Sequence, residues 1–207
     1  MQGNKTLNIF AKGISYLFHP LIIPSIGCIL IFNSGFYLDY LPYSVKNSVY
    51  IIVFILTFLL PTMIIPALYF QRLISSINMD KKEERILPMM IVVIMYGLSY
   101  YFMHRAGFPP LLLNFLIGCI STIIISLLIT IKWKISLHTA GLGGLTALLF
   151  FLIFSYNLNL DLYFSIVILI SGITGTARMI TGNHNPLQIY IGFVVGFACV
   201  FIPLLIL

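Results

Sequence analysis

The chain has 207 residues, of which 60% are hydrophobic and only 8% are charged, and its mean hydropathy is +1.09. A soluble domain carries roughly 25% charged residues, so this composition excludes a globular protein with a polar surface. The net charge of +6 accompanies no glycine-rich nucleotide loop and no nucleic-acid-binding surface, and it is typical of Lys and Arg beside membrane spans. The composition therefore predicts an integral membrane protein.

Seven continuous apolar runs follow one another along the chain. They lie at 18–36, 48–70, 87–103, 109–131, 140–156, 160–177 and 186–207. Continuous rather than alternating apolar residues predict helices and not barrel strands. The first run is long and lacks a small-residue cleavage site, so we expect a span and not a signal peptide. The sequence predicts one integral membrane domain, 1–207, with an all-α polytopic membrane helix bundle of six or seven transmembrane helices.

Prolines and cysteines fall inside these runs. We expect four prolines to kink the first two helices, namely Pro20, Pro24, Pro61 and Pro66. The cysteines predict buried thiols rather than a disulfide or metal set, and they are Cys28, Cys119 and Cys199. Five acidic residues in the whole chain leave no pair of Asp-rich Mg²⁺ motifs, which argues against a prenyltransferase-like enzyme. We therefore predict no metal and no cofactor.

The loops between seven spans sort onto two membrane faces. The loops at 71–86, 132–139 and 178–185 share a face with the amino terminus, and that face receives nine of the eleven Lys and Arg residues. By the positive-inside rule this face is cytoplasmic. We predict a multi-pass protein of the cell (inner) membrane whose oligomeric state the sequence leaves open.

These three loops bring cations and histidines to one face. Their candidate site residues are Lys82, Arg85, Ser136, His138, Arg178, His184 and Gln188. Converging cations form a site for an anion, and the fork of Arg matches phosphate oxygens. Two histidines beside such a site can act as nucleophile and general acid near neutral pH. The other two histidines, His19 and His104, are taken as isolated and interfacial.

The third loop predicts a break between two helices. Arg178 and His184 are six residues apart, which would put them on different faces of one continuous helix. Gly182 and the Asn185-Pro186 pair favour a turn, with Pro186 in the first turn of the last helix. Arg178 would then face His184 across the break. Gln188 lies four residues after His184, so it can reach one imidazole nitrogen.

At these residues the chain resembles the type 2 phosphatidic acid phosphatase (PAP2) superfamily. Arg178-x5-His184-x3-Gln188 resembles its third motif, Ser-Arg-x5-His-x3-Asp, and Ser136-Leu137-His138 resembles its second, Pro-Ser-Gly-His. Glu84-Arg85-x2-Pro88, preceded by lysines, resembles the first, Lys-x6-Arg-Pro. The resemblance covers 80–190 as a PAP2-like core, and 1–79 adds a polar amino terminus and two further transmembrane helices.

The resemblance implies a membrane lipid phosphatase acting on a phosphate monoester or diphosphate, of the phosphatidate, phosphatidylglycerophosphate or polyprenyl phosphate class. It implies that His184 attacks phosphorus and forms a phosphohistidine, with His138 protonating the leaving oxygen and Gln188 beside the nucleophile. The phosphate-binding residues it implies are Arg178, Arg85, Lys82 and Ser136. Arginines would replace the charge stabilisation that Mg²⁺ gives in other phosphoryl transfers.

The sequence departs from the family's motifs in ways that keep other functions open. Gln188 stands in place of Asp, Leu137 in place of glycine, Ala177 in place of serine, and Asn78 where strict spacing puts a lysine. One alternative is a catalytically inactive PAP2-like protein that binds or transports a lipid phosphate. An unrelated transporter is another, although we find no inverted repeat of interrupted segments. Bacterial members of the family commonly act on the periplasmic face, whereas the charge count favours the cytoplasmic one.

Overall fold

The computed structural model describes residues 2–76 and 83–206, which contain nine α-helices. The helices are α1 (Gln2–Leu17), α2 (Ile23–Phe32), α3 (Tyr43–Phe54), α4 (Leu60–Phe70), α5 (Ile86–Arg105), α6 (Pro110–Lys132), α7 (Leu137–Tyr156), α8 (Asp161–Ile180) and α9 (Pro186–Leu205).

Seven helical segments of the described residues are long and apolar enough to cross a membrane. They are Lys5–Phe32, Tyr43–Phe70, Glu83–Arg105, Pro110–Lys132, Leu137–Tyr156, Asp161–Ile180 and Pro186–Leu205. A helix satisfies its backbone hydrogen bonds internally, which is what a hydrocarbon surrounding requires. The chain is therefore an all-α, multi-pass membrane protein, as the sequence predicts.

The first two spans are irregular where their prolines lie. A 3₁₀ turn, Pro20–Ile22, separates α1 from α2, and a π-helical turn, Ile55–Leu59, separates α3 from α4. Pro61 has no N–H to donate to the carbonyl of Thr57, so the ordinary hydrogen bond of the α-helix is lost there. A π-turn is one way to absorb such a loss. The prediction of irregular first helices is confirmed.

The first helix begins earlier than the apolar run indicates. Lys5, Lys12 and several Asn residues lower the hydropathy of the opening segment, yet it is helical from residue 2 and amphipathic. α1 packs along α8, and its buried residues Ala11 and Ser15 are one helical turn apart. The segment ahead of the predicted span 18–36 is thus part of the helical bundle.

α7 is the central helix, and it packs most extensively against α9. A Cβ atom at Gly196 would overlap the carbonyl of Ala140, and one at Gly143 would overlap the carbonyl of Phe193. Small residues at these crossings let two helix backbones approach closely, as in other membrane helix pairs. This close packing fixes the beginning of α9 beside the beginning of α7.

The bundle has two polar ends. We define the site end as the loops 133–136 and 181–185 together with the turn Glu83–Arg85, and the opposite end as the loops 33–42, 106–109 and 157–160. At the opposite end the rings of Phe36 and Tyr156 lie 4.1 Å apart, which joins the end of the first span to the end of α7. The predicted site residues that the structure describes lie in or next to the site end, and they are Arg85, Ser136, His138, Arg178, His184 and Gln188.

Candidate functional site

The loop between α8 and α9 is the predicted helix break. α8 ends at Ile180, and Gly182 has a φ of +68°, a left-handed conformation that glycine adopts without steric cost. Asn185 caps α9, because its side-chain oxygen accepts a hydrogen bond from the N–H of Gln188 at 2.9 Å. The backbone N–H of Asn185 in turn donates a hydrogen bond to Gln188 Oε1 at 3.4 Å, which completes a capping box. Pro186 occupies the first turn, as predicted.

His184 contacts Gln188 directly, which confirms that part of the prediction. The His184 Nδ1 atom lies 2.9 Å from Gln188 Oε1. The same Oε1 accepts the backbone N–H of Asn185, so it must be the amide oxygen and not the nitrogen. An amide oxygen can only accept, so Nδ1 of the neutral imidazole carries the proton. The lone pair therefore lies on Nε2, the nitrogen available for attack.

His184 is buried in a positive environment. Its side chain is 7% exposed. Burial, together with the positive charges of Arg178, Arg85 and Lys134, lowers the pKa of His184 from 6.5 to about 3, against the opposing effect of its hydrogen bond to Gln188. The imidazole is consequently neutral at physiological pH, which is the nucleophilic form. The same three cations make this position attractive to an anion.

Arg178 lies in the last turn of α8, facing the break. Its backbone carbonyl accepts hydrogen bonds from the N–H groups of Asn183 at 3.2 Å and His184 at 3.3 Å, so the loop folds back onto this residue. Its Nε atom is buried and has no hydrogen-bond partner. Buried polar atoms are nearly always paired, so an unpaired guanidinium N–H marks a position suited to a bound anion.

Two further cations come from the other loops of the site end. Arg85 ends the 3₁₀ turn before α5 and is half-buried, within electrostatic reach of Arg178 and His184. Lys134, from the loop between α6 and α7, also lies within electrostatic reach of His184. Lys82, predicted as a phosphate ligand, lies outside the described residues. Three loops thus bring their cations to one histidine.

Ser136 is buried and forms the cap of α7. Its hydroxyl oxygen accepts the N–H of Thr139 at 3.5 Å, and its own N–H donates to the carbonyl of Gln188 at 3.3 Å. A Cβ atom on Gly192 would lie 2.6 Å from the Ser136 carbonyl, so only a glycine permits this approach. The backbone of Ser136 therefore holds the loop 133–136 against the first turn of α9.

His138 contacts the first membrane span. Its Nε2 atom lies 3.1 Å from the carbonyl oxygen of Ser15, and its ring lies edge-on to His19 with centroids 5.7 Å apart. His138 is also within electrostatic reach of Arg178 and His184. The expectation that His19 is isolated is wrong, because it assumed that the first span stays apart from the later loops. The His19-Pro20 pair, a helix breaker after an amphipathic segment, was the available signal.

No group of three or more His, Cys, Asp or Glu side chains in residues 2–76 and 83–206 is arranged to hold a metal ion. The positive charge around His184 in the described site comes from Arg178, Arg85 and Lys134.

No protein-family model, curated protein or solved structure matches this chain. The geometry of the site end is accordingly the basis for the functional proposal.

Proposed function

We propose that this chain is a membrane lipid phosphatase, hydrolysing a phosphate monoester or diphosphate on a lipid of the phosphatidate, phosphatidylglycerophosphate or polyprenyl phosphate class. The observation that carries the proposal is the His184–Gln188 hydrogen bond, which leaves the Nε2 lone pair of a neutral histidine near Arg178. A neutral nucleophile surrounded by cations suits an anionic phosphorus centre.

In the first step, Nε2 of His184 attacks phosphorus, and the bond from phosphorus to the lipid oxygen breaks. Protonated His138 gives its proton to that leaving oxygen. Arg178 and Arg85 bind the phosphoryl oxygens and stabilise the charge of the transition state. Lys82, outside the described residues, and Ser136 complete the proposed phosphate contacts.

In the second step, water attacks the phosphohistidine. The water proton passes to His138, the bond from phosphorus to nitrogen breaks, and phosphate leaves with His184 again neutral. Gln188 keeps the Nδ1 proton in place throughout. A carboxylate would also stabilise the cationic phosphohistidine, and an amide does so less.

The surroundings of the site favour a lipid rather than a soluble phosphate. A narrow apolar crevice of about 20 Å³ adjoins it, and its lining includes Pro20, which follows His19, and Leu137, which precedes His138. Its other walls come from α5, α6, α7 and α9. A lipid could place its phosphate among the cations and its chain along the apolar faces of the helices beside this crevice. As part of the proposal we assign the chain to the cell (inner) membrane.

A specific observation favours a second function, the binding or transport of a lipid phosphate without hydrolysis. Gln188 is neutral, and in the serine-protease triad the corresponding loss of a carboxylate costs roughly 10⁴ in rate. The cations would still hold the phosphate.

Phosphate release by the purified protein tests the proposal. The substrates are phosphatidate, phosphatidylglycerophosphate and a polyprenyl phosphate, each in mixed micelles, with His184→Ala as the inactive variant. We expect release from at least one lipid, and a loss of at least about a thousandfold in His184→Ala, as for other covalent nucleophiles. His104→Ala is the matched control, since His104 stacks on Tyr100 near the opposite end.

Two results would count against hydrolysis. Equal release by the wild type and His184→Ala would show that His184 is not the nucleophile. Saturable binding of the lipid phosphates with no release from any of them would favour the binding function.

A further inference from the structure

The amino-terminal helix reaches the site through its last turn. Ser15, which is buried, offers its carbonyl oxygen to Nε2 of His138 at 3.1 Å. The ring of His19 lies against the ring of His138 at 5.7 Å, with 76° between the planes. Two groups of the first span therefore touch the histidine that the proposed reaction uses as its acid.

Pro20 explains why the Ser15 carbonyl can accept this bond. A helix leaves its last four carbonyls without intrahelical partners. α1 ends at Leu17, and the Phe18 N–H makes the final bond of this helix, to Ile14 at 3.0 Å. His19 is extended, with a ψ of 134°, as a residue before proline prefers. The turn at Pro20 thus ends the helix where the Ser15 carbonyl meets α7.

The contact determines which nitrogen of His138 can transfer a proton. A carbonyl oxygen only accepts, so Nε2 of His138 keeps its hydrogen. Nδ1 is then the nitrogen that gains and loses a proton. His19 is fixed in its turn, because its Nδ1 accepts the N–H of Leu21 at 3.4 Å.

We propose that the Ser15 carbonyl and the His19 ring are positioning groups for His138, which they orient so that Nδ1 is its proton-transferring atom. This inference rests on the proposed hydrolysis and assigns the first span a role in it. The leaving lipid oxygen takes the Nδ1 proton as its bond to phosphorus breaks, while Nε2–H stays on Ser15. In the second step the attacking water returns a proton to Nδ1. The other charged or titratable groups that face His138 are Arg178 and His184.

The leaving group distinguishes a role in protonation from a role in folding. An alkyl phosphate releases a strongly basic alkoxide, which needs a proton, whereas a nitrophenyl phosphate releases a weakly basic phenolate, which does not. General acid catalysis contributes roughly 10²–10⁴ in rate, and only the alkyl substrate depends on it. Loss of fold or of phosphate binding lowers the turnover of both substrates equally.

Two substitutions test the positioning groups separately. Pro20→Ala lets α1 continue, so the His19 N–H competes with His138 for the Ser15 carbonyl. His19→Ala removes the ring that packs on His138, and His19→Phe keeps a ring there without its nitrogens. Tyr16→Ala is the matched control, because Tyr16 is 73% exposed in the same helical turn. A melting temperature in detergent reports whether each variant folds.

We expect Pro20→Ala and His19→Ala to lower kcat for glycerol 3-phosphate, an alkyl phosphate without a lipid chain, at least about tenfold, and to leave kcat for 4-nitrophenyl phosphate unchanged. His19→Phe and Tyr16→Ala should retain most of the turnover of both substrates. Equal losses on the two substrates, or no loss on either, would overturn the positioning role while leaving His184-dependent hydrolysis in place. If the wild type hydrolyses neither of these substrates nor any of the three lipid phosphates, the proposed function fails and this inference fails with it.

Discussion

At the opposite end of the bundle, polar groups satisfy one another within the chain. Lys46 Nζ donates to Asp39 Oδ1 at 2.7 Å and to the carbonyl of Phe32 at 2.9 Å. The second oxygen of Asp39 accepts the N–H of Gly35 at 3.2 Å. Lys46 and Asp39 thus each have a further hydrogen-bond partner besides the ion pair. Together these bonds connect the loop 33–42 to α3.

The site end is organised differently. Three cations approach His184, and Arg178 keeps a buried N–H without a partner. A charged guanidinium N–H gains more from a partner than an unpaired hydroxyl does, so this donor is suited to an anionic ligand. Both ends contain Lys or Arg near a membrane boundary. Lys46 is paired within the chain and serves as a membrane anchor, whereas Arg178 keeps an unpaired N–H and belongs to the proposed binding site.

After His184 itself, Arg178 is the residue whose removal should have the largest effect on function. We expect Arg178→Ala to lower kcat/KM for a lipid phosphate by about a hundredfold, since charge-assisted hydrogen bonds contribute roughly 1.5–3 kcal/mol each. The melting temperature should stay equal or rise, because the Nε atom has no protein partner to lose. Arg178→Lys should restore little, since an ammonium lacks the fork geometry. Parallel losses of activity and stability would show that Arg178 serves the fold.

A carboxylate at position 188 should raise the activity of the site rather than lower it. Gln188→Glu preserves side-chain length, so a carboxylate oxygen takes the position 2.9 Å from His184 Nδ1. The carboxylate stabilises the cationic imidazole, and we expect the rate of phosphate release to rise at least about tenfold. Gln188→Met, which has a similar shape and no acceptor, should lower it. If neither variant changes the rate, Gln188 serves only to cap α9.

The burial of His184 among cations predicts a pH-dependent stability. The pKa of His184 is lowered from 6.5 to about 3, first by burial and then by Arg178, Arg85 and Lys134. Between these values the unfolded chain binds a proton that the folded chain does not, so stability is full above pH 6.5 and is lost as pH falls toward 3. Melting temperatures in detergent from pH 7.5 to 4.5 should fall more steeply for the wild type than for His184→Gln. Parallel curves would contradict the lowered pKa.

Much of the bundle follows from local signals in the sequence. Apolar runs predict all seven spans, and Gly182 with Asn185-Pro186 predicts the break that brings His184 near Arg178. The start of the first helix at residue 2 could not be predicted from hydropathy, because Lys5, Lys12 and nearby Asn residues lower the mean hydropathy of this segment.

The partners of His138 could not be predicted in this way. Ser15 and His138 are 123 residues apart in the sequence. Every residue has a backbone carbonyl, so the residue type at position 15 does not indicate this contact. Their contact depends on α1 packing along α8 and on the turn at Pro20, which are tertiary features. The His184–Gln188 contact was predictable because four residues on a helix bring two side chains together regardless of the rest of the fold.

The smallest effect is expected at the opposite end. Asp39→Asn should leave phosphate release unchanged and lower the melting temperature slightly, since exposed ion pairs contribute little. The hydrogen bond from Lys46 holds the pKa of Asp39 below its usual value, and the Gly35 N–H adds to this effect. The stability from this pair is therefore present above about pH 4 and is lost as pH falls through the lower pKa of the folded chain. The wild type and Asp39→Asn should then melt alike in strong acid. A loss of activity in Asp39→Asn at neutral pH would mean that the two ends are coupled through α2 and α7, and that the distinction between anchor and site does not hold.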